Sequence, residues 1–366
     1  MRIELKQVLF PQPKSKIKAG DGKAEGRYKF FTSSPLQTKF HDEANYDEPS
    51  LIFGTGGNAS VHFCDEPFST STDCLVMYGR SRTELETIYN YLKSNIGILE
   101  NGFKGAGLKH ISKDYILAIE IDLPCETIQL EFLQKTRIID EVIESKRTQL
   151  LLNEDLVKSR FIEMFGDPIA NEKGWSMHPL EDVCKTIVDC PHSTPNYTNE
   201  DTGYMCIRTS IVKKNRILWD DIEYISQAEY QQRIQRKRPE KGDIVYTREG
   251  AILGIAAVID RDCNVALGQR SMLLSPNTGK CLPHFLSVAM NFDSFLNKAL
   301  GGISGSASPH INVGDIKAFS IILPPIELQR QYVELIEQTG KSKFEIQQSL
   351  EKLEILKKSL MQQYFG

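Results

Sequence analysis

The chain has 366 residues, 40% of them apolar and 25% charged, a length beyond what one hydrophobic core usually organises, so two or more domains are expected. Its 44 basic and 48 acidic side chains leave a formal charge of −4, which removes the overall basic character that commonly marks nucleic-acid binding. Splitting the chain restores nothing, because residues 1–124 carry 15 basic and 16 acidic groups and residues 167–324 carry 17 and 18. Any DNA-binding surface is therefore local, or a partner supplies much of the phosphate grip.

No apolar run approaches a membrane span, and Met1-Arg-Ile-Glu-Leu-Lys6 lacks the core of a signal peptide, so no membrane partner and a cytoplasmic location are expected. Eight scattered cysteines without a Cys-x-x-Cys pair read as reduced thiols. Cys281-x-x-His284 and Cys190-x-His192 each offer only two ligands, so no metal site is expected.

In chain order, residues 1–124 form an irregular α/β region that closes on an alternating strand, Ile116 to Leu123, ended by Pro124. Residues 126–165 contain neither Gly nor Pro and predict one helix, roughly 60 Å long at about 1.5 Å per residue. Along it Phe132, Ile139, Ile143, Leu150, Val157, Phe161 and Met164 recur at three- and four-residue steps. A second α/β region, residues 167–324, closes on Ile316 to Leu323, and residues 326–365 repeat the helical pattern with Gly340 as the sole breaker. Its apolar series is Tyr332, Leu335, Ile346, Leu350, Leu353, Leu356 and Leu360. Lys146, Thr339 and Ser342 interrupt the two series, which otherwise resemble a coiled coil.

The two halves are copies. Residues 102–166 align with 302–366 without a gap at 17 identities in 65 positions, among them His110/His310, Ile116/Ile316, Pro124/Pro324, Gln129/Gln329, Leu150/Leu350 and Phe165/Phe365. The predicted fold class is thus α/β (α+β): two repeated α/β domains, 1–124 and 167–324, separated by two long antiparallel coiled-coil helices, 125–166 and 325–366. Two unrelated amphipathic helices on one core would leave their equal lengths unexplained.

A catalytic site is not found. The lone Pro324-Pro325 is flanked by Leu323 and Ile326, not by the Asp/Asn and aromatic residues that hold an exocyclic amine. Phe53-Gly-Thr-Gly-Gly57 has Thr55 where a methyl-donor loop needs glycine. Gly340-Lys-Ser342 lacks the earlier glycine of a phosphate loop, Leu335 standing there. There is no Pro-Asp dipeptide to begin a nuclease motif, and the seven histidines are dispersed.

Met164-Phe-Gly-Asp-Pro168 leading into Asn171-Glu-Lys-Gly-Trp175 resembles the junction between repeats in the specificity subunits of type I restriction–modification enzymes. Leu323-Pro-Pro-Ile-Glu-Leu-Gln329 and Gly242-Asp-Ile-Val-Tyr-Thr-Arg-Glu-Gly-Ala-Ile-Leu-Gly254 resemble that family too, with looser counterparts in Leu123-Pro-Cys125 and Leu51-Ile-Phe-Gly-Thr-Gly-Gly57. The first domain departs from the pattern at Cys125, which replaces the second proline.

The resemblance implies two readers of an interrupted double-stranded DNA site and two docked methyltransferase subunits. It also implies adenine methylation with S-adenosylmethionine bound by the partner, and ATP-driven cleavage when a restriction subunit joins. This chain itself would hold no cofactor. A stand-alone methylation system, or a fused methyltransferase–nuclease using a similar subunit, fits the same sequence, as does a coiled-coil scaffold without DNA binding.

Candidate DNA contacts in the second domain are Arg208, Thr209, Lys213, Lys214 and Arg216 in one run, Thr247, Arg248 and Glu249 in an expected turn, and Ser304 and Ser306 in a Gly/Ser-rich loop. Arg248 is placed to reach guanine and Glu249 cytosine. In the first domain they are Thr55, Gly56, Asn58, Lys104 and Lys109. Each competes with the simpler reading of a solvated turn. His110 and His310 recur at one repeat position, which argues for a structural hydrogen bond over base readout.

Overall fold

The computed structural model of the chain describes residues 2–105, 107, 109–301 and 309–365. It comprises two units, Met1–Gln149 with Ile346–Gly366, and Leu150–Glu345.

In the first unit the strands are β1 (Arg2–Glu4), β2 (Leu9–Pro11), β3 (Tyr28–Phe31), β4 (Lys39–His41), β5 (Ser50–Gly54), β6 (Ser60–Cys64), β7 (Phe68–Thr70), β8 (Cys74–Gly79) and β9 (Glu120–Asp122). An antiparallel sheet has the order β2-β8-β5-β6, a second sheet the order β4-β3-β7 with β3 and β7 parallel, and β1 pairs with β9. The central strand β5 is buried throughout, as expected of an apolar run covered on both faces. Its alternation divides the core: Leu51 and Phe53 pack with Ile88 and Leu92 of the helix Arg82–Ser94, whereas Ile52 packs with Phe31, Phe68 and Val76. That helix starts where the Ser81 side chain accepts the Glu84 N–H at 3.2 Å.

The second unit repeats the plan with β10 (Met177–Pro179), β11 (Cys184–Asp189), β12 (Met205–Ile207), β13 (Val212–Lys213), β14 (Arg216–Ile217), β15 (Glu223–Tyr224), β16 (Ile244–Thr247), β17 (Ala256–Val258), β18 (Val265–Leu267), β19 (Ser271–Pro276) and β20 (Ser320–Ile322). The orders are β11-β19-β16-β17, β15-β12-β18 with β12 and β18 parallel, and β10-β20; β13 and β14 add a hairpin. Here Ile244 and Tyr246 face Phe285 and Leu286 of the helix Pro283–Asn291, and Val245 faces Ile207, Val265 and Leu273. The same topology in both units extends the repeat well upstream of the 65 aligned positions.

The closing strands are shorter than the alternation suggested. Ile116 and Leu117 end a short helix, Lys113–Leu117, whose Ser112 cap accepts the Tyr115 N–H at 3.1 Å, and the strand covers only Glu120–Asp122. Ile316 likewise lies in the helix Val313–Lys317, ahead of β20. At the first helix the Ser112 cap outweighs a two-residue period in so short a segment; the second forms without such a cap.

Two 40-residue helices, Glu126–Phe165 and Ile326–Phe365, contribute to both units. The first stops at Gly166, whose φ of +77° favours a residue without a side chain. Gly340 does not interrupt the second; a Cβ there would meet nothing within 4 Å. In each unit the segments run antiparallel. In the first, Phe132 meets Phe365, Lys357 bridges both Asp140 carboxylate oxygens at 2.5 and 2.8 Å, and Arg147 lies 3.9 Å from Glu354. In the second, the Tyr332 hydroxyl donates to the Val157 carbonyl at 3.0 Å and Lys343 reaches Glu154 at 3.3 Å.

Burial along the helices alternates in steps of three and four, as in a coiled-coil seam. Phe132, Ile139, Ile143, Tyr332, Ile346, Leu350 and Leu360 are buried, and Leu150, Val157, Leu335 and Leu353 half-buried. Leu356 is a correction, being 51% exposed. After Leu353 the next step is four residues, so half-buried Lys357 takes the inward position and pairs with Asp140. Polar seam residues are satisfied locally: Thr136 donates to the Phe132 carbonyl at 2.9 Å and Thr339 to Leu335 at 2.8 Å.

Candidate DNA interface

β11 and β16 both run antiparallel to β19, so Asp189, Thr247 and Ser271 reach the same end of the sheet. The segments continuing from them are tied to one another and to residues 309–311. Arg248 N–H donates to the Arg270 carbonyl at 3.1 Å, Ile311 N–H to Arg248 at 2.9 Å and Gly250 N–H to Pro309 at 3.1 Å. The first unit builds the matching end with Thr55 in place of Arg248 and Asp73 in place of Arg270. Thr55 N–H donates to the Asp73 carbonyl at 2.9 Å, and Ile111 N–H to Thr55 at 3.2 Å.

This end gathers the first-unit candidates. Thr55 and Gly56 are half-buried and Asn58 exposed, while Lys104 and Lys109 are exposed. Lys104 and His110 exchange two backbone hydrogen bonds of 3.0 Å, and Nδ1 of His110 lies 3.1 Å from the Thr55 carbonyl, a structural contact within the loop pair. The Thr55 hydroxyl donates to the Asp73 carbonyl at 2.9 Å.

The second-unit candidates divide. Thr247 and Arg248 are corrections: β16 extends through Thr247, which is fully buried, and Arg248 is only 8% exposed. The Arg248 guanidinium forms a two-pronged pair with Asp189, Nε to Oδ1 at 2.9 Å and Nη2 to Oδ2 at 3.2 Å, and Nη1 donates to the Ile311 carbonyl at 3.3 Å. Reaching a base would strip Asp189 of its two-pronged partner in a poorly solvated site and leave it only the His192 ring, 3.1 Å away, which opposes that role. Glu249 is half-buried and bridged through its backbone to His310.

The run from Arg208 to Arg216 is also split. Arg208 follows β12 beside Gly268, pairs with Glu223 at 3.0 Å and lies over the Tyr197 ring at 5.4 Å; half-buried Thr209 opens the next turn. Lys213 donates to the Ser210 carbonyl, and Arg216 is exposed on the hairpin strand β14. Lys214 instead faces Asp293 at 2.9 Å, and Lys158 shares that carboxylate at 3.0 Å. The hydrogen bonds from Lys214 and Lys158 hold Asp293 down to about 2. Ser304 and Ser306 lie outside the described residues.

Two groups at this end escape a reading of the sequence. Arg233, buried, donates to the Ser193 carbonyl at 2.8 Å and to Leu267 at 3.3 Å, pinning two loops. Arg270 is exposed and has a φ of +72°. The preceding Gly268-Gln269 is the one local signal of a turn there.

Among the described residues, no helix is long and apolar enough to cross a membrane, and no group of three or more His, Cys, Asp or Glu could hold a metal ion.

The family described as type I restriction modification DNA specificity domain matches residues 3–153 and 172–357. In fold, the chain is similar to the S subunit of a type I restriction–modification system from M. genitalium, at 14% identity and a TM-score of 0.65, covering 100% of this chain and 96% of that one. A structure described as underlying complex assembly and conformational transition of the type I R-M system matches at 17% identity and a TM-score of 0.56, covering 100% and 97%. No curated protein matches the chain in sequence.

Proposed function

Because the chain belongs to the family of type I restriction modification DNA specificity domains, we propose that its two units read the two halves of an interrupted duplex site. The chain is a DNA sequence-specificity subunit, and subunits of this kind are generally non-catalytic. The observation that carries the two-reader mechanism is one scaffold used twice with different side chains at its loop end: Thr55 and Asp73 in the first unit, Arg248 and Arg270 in the second. A shared framework with differing loops is how one fold serves two sequences.

The helix pair docks the methyltransferase, two copies being the stoichiometry that two repeats favour. S-adenosylmethionine belongs to those subunits, and ATP to a restriction subunit when one joins. The complex works in the cytoplasm, and this chain contributes recognition alone. Its net charge of −4 favours weak DNA binding by the isolated chain and a large gain once the methyltransferase embraces the duplex.

Residues 1–124 and 167–324 are the exchangeable modules. Replacing 167–324 with the second module of another family member, then mapping methylated sites in cells that carry the complex, tests this. One half-site changes and the other stays. A continuous target, or a change in both halves, would defeat the mechanism.

A further inference from the structure

Arg270 stands apart from the other arginines of its unit. Its exposed side chain extends from the turn between β18 and β19, and among the described residues its guanidinium has no ion-pair or hydrogen-bond partner. Arg160, Arg208, Arg233, Arg236, Arg238, Arg248, Arg261 and Arg330 each reach a carboxylate, carbonyl or side-chain amide oxygen. Arg216, on the β14 hairpin, is also without one, so the backbone of Arg270 is what sets it apart.

The backbone of Arg270 is held at a φ of +72°, a left-handed conformation that side chains other than Asn and Asp rarely adopt. Its surroundings impose it. The Arg270 carbonyl accepts the Arg248 N–H at 3.1 Å, Cys190 N–H donates to Ser271 at 3.2 Å and Gly268 N–H to Ile207 at 2.9 Å. Arg248, whose N–H holds that carbonyl, is itself fixed by its pair with half-buried Asp189, and the His192 ring lies 3.1 Å from the same carboxylate. A glycine would fit this turn without strain, yet the position carries the longest cationic side chain, on a fixed base beside Gly250. Strain kept at an exposed, unpaired, preorganised arginine marks a recognition element.

We propose that Arg270 reads a guanine in the half-site recognised by the second unit, its two-pronged guanidinium donating to O6 and N7 in the major groove. The assignment rests on the chain being a DNA reader. Asp73, exposed at the matching place in the first unit, presents the opposite charge to its own half-site, so the two halves differ at this register.

The test uses the full chain assembled with its methyltransferase subunits, carrying Arg270→Lys or Arg270→Gly. Methylation is measured on duplexes in which each base pair of the mapped site is varied. Lysine keeps the charge but loses the planar fork, so preference for one G·C pair falls on the order of 10- to 100-fold while the other positions keep theirs. Glycine gives the same relaxed preference, and removes backbone strain, so the melting temperature holds or rises. A preference unchanged at every position overturns the proposal. So does a uniform loss across all duplexes, the mark of a phosphate contact. The wild-type map independently tests the bipartite reading: a continuous wild-type target would defeat two readers, while relaxation at one G·C pair would still assign Arg270.

Discussion

Phe165 and Tyr332 meet edge to face with ring centroids 5.4 Å apart, and Phe365 and Phe132, their counterparts 200 residues along the chain, repeat the contact at 5.2 Å. The end of one helix is thus locked against the start of the other by the same aromatic device in each unit. Phe165 and Tyr332 are fully buried and sit with Phe161 and Phe285 in the core of the second unit. Phe165→Ala is expected to cost about 3–5 kcal/mol in stability through lost burial and the cavity left behind. Urea unfolding followed by circular dichroism checks this; a loss below about 1 kcal/mol would mean the contact contributes little.

The seam assignment separates two neighbouring leucines. Leu353 is half-buried, whereas Leu356 is 51% exposed. Leu356→Gln is expected to leave the isolated chain's stability within about 0.5 kcal/mol. Leu353→Gln is expected to cost roughly 1–3 kcal/mol, since it places an amide in the seam. Thermal melts of both variants decide it, and equal effects would place the seam elsewhere.

Thiol reactivity should follow burial. Cys125 is exposed and Cys263 half-buried, while Cys64, Cys74, Cys184, Cys190, Cys206 and Cys281 are buried. Burial pushes Cys74 up to about 11, and Cys184 and Cys206 up to about 12. The thiolate is the reactive form, so maleimide at neutral pH should label Cys125 rapidly, Cys263 slowly and the others only on unfolding. A thiol with a raised folded pKa contributes stability fully below its unfolded pKa. That stability fades as the pH climbs from about 9 toward the folded value. Unfolding should therefore become easier above pH 9. Fast labelling of Cys206 in the folded chain would contradict this picture.

What the sequence made legible follows from signal length. Forty residues free of Pro, with apolar side chains at three- and four-residue steps, expose both helices at once. The helix seam from Phe132 to Leu360 was readable except at Leu356, where Lys357 takes the inward place by pairing with Asp140. The sheets were harder, because strands as short as β3 or β12 carry only one or two turns of a two-residue period. The repeat of the sheets shows in topology and not in identity, since burial constrains residue class more than residue type. The loop end was partly readable: Thr55 and Lys104 are brought together there. Arg248 and Arg270 could not be told apart, because what buries Arg248 is Asp189, 59 positions away.

That pair yields the last expectation. Side chains of Arg248 and Asp189 are 9% and 17% exposed, so removing one partner strands the other's charge in a poorly solvated place. Asp189→Ala should therefore destabilise by up to about 3–5 kcal/mol. Arg248→Lys should be damaging as well, because an ammonium cannot hold both carboxylate oxygens and the Ile311 carbonyl in the same geometry. If the pair acts as a support for the loops and not as a DNA contact, Asp189→Leu combined with Arg248→Met should recover much of the loss. In the assembled complex it should also keep the base preferences of the wild type. The double-mutant cycle, read by denaturation and by the methylation preferences of the assembled complex, separates the two roles. Recovered stability with altered base preference would return Arg248 to the list of residues that touch DNA.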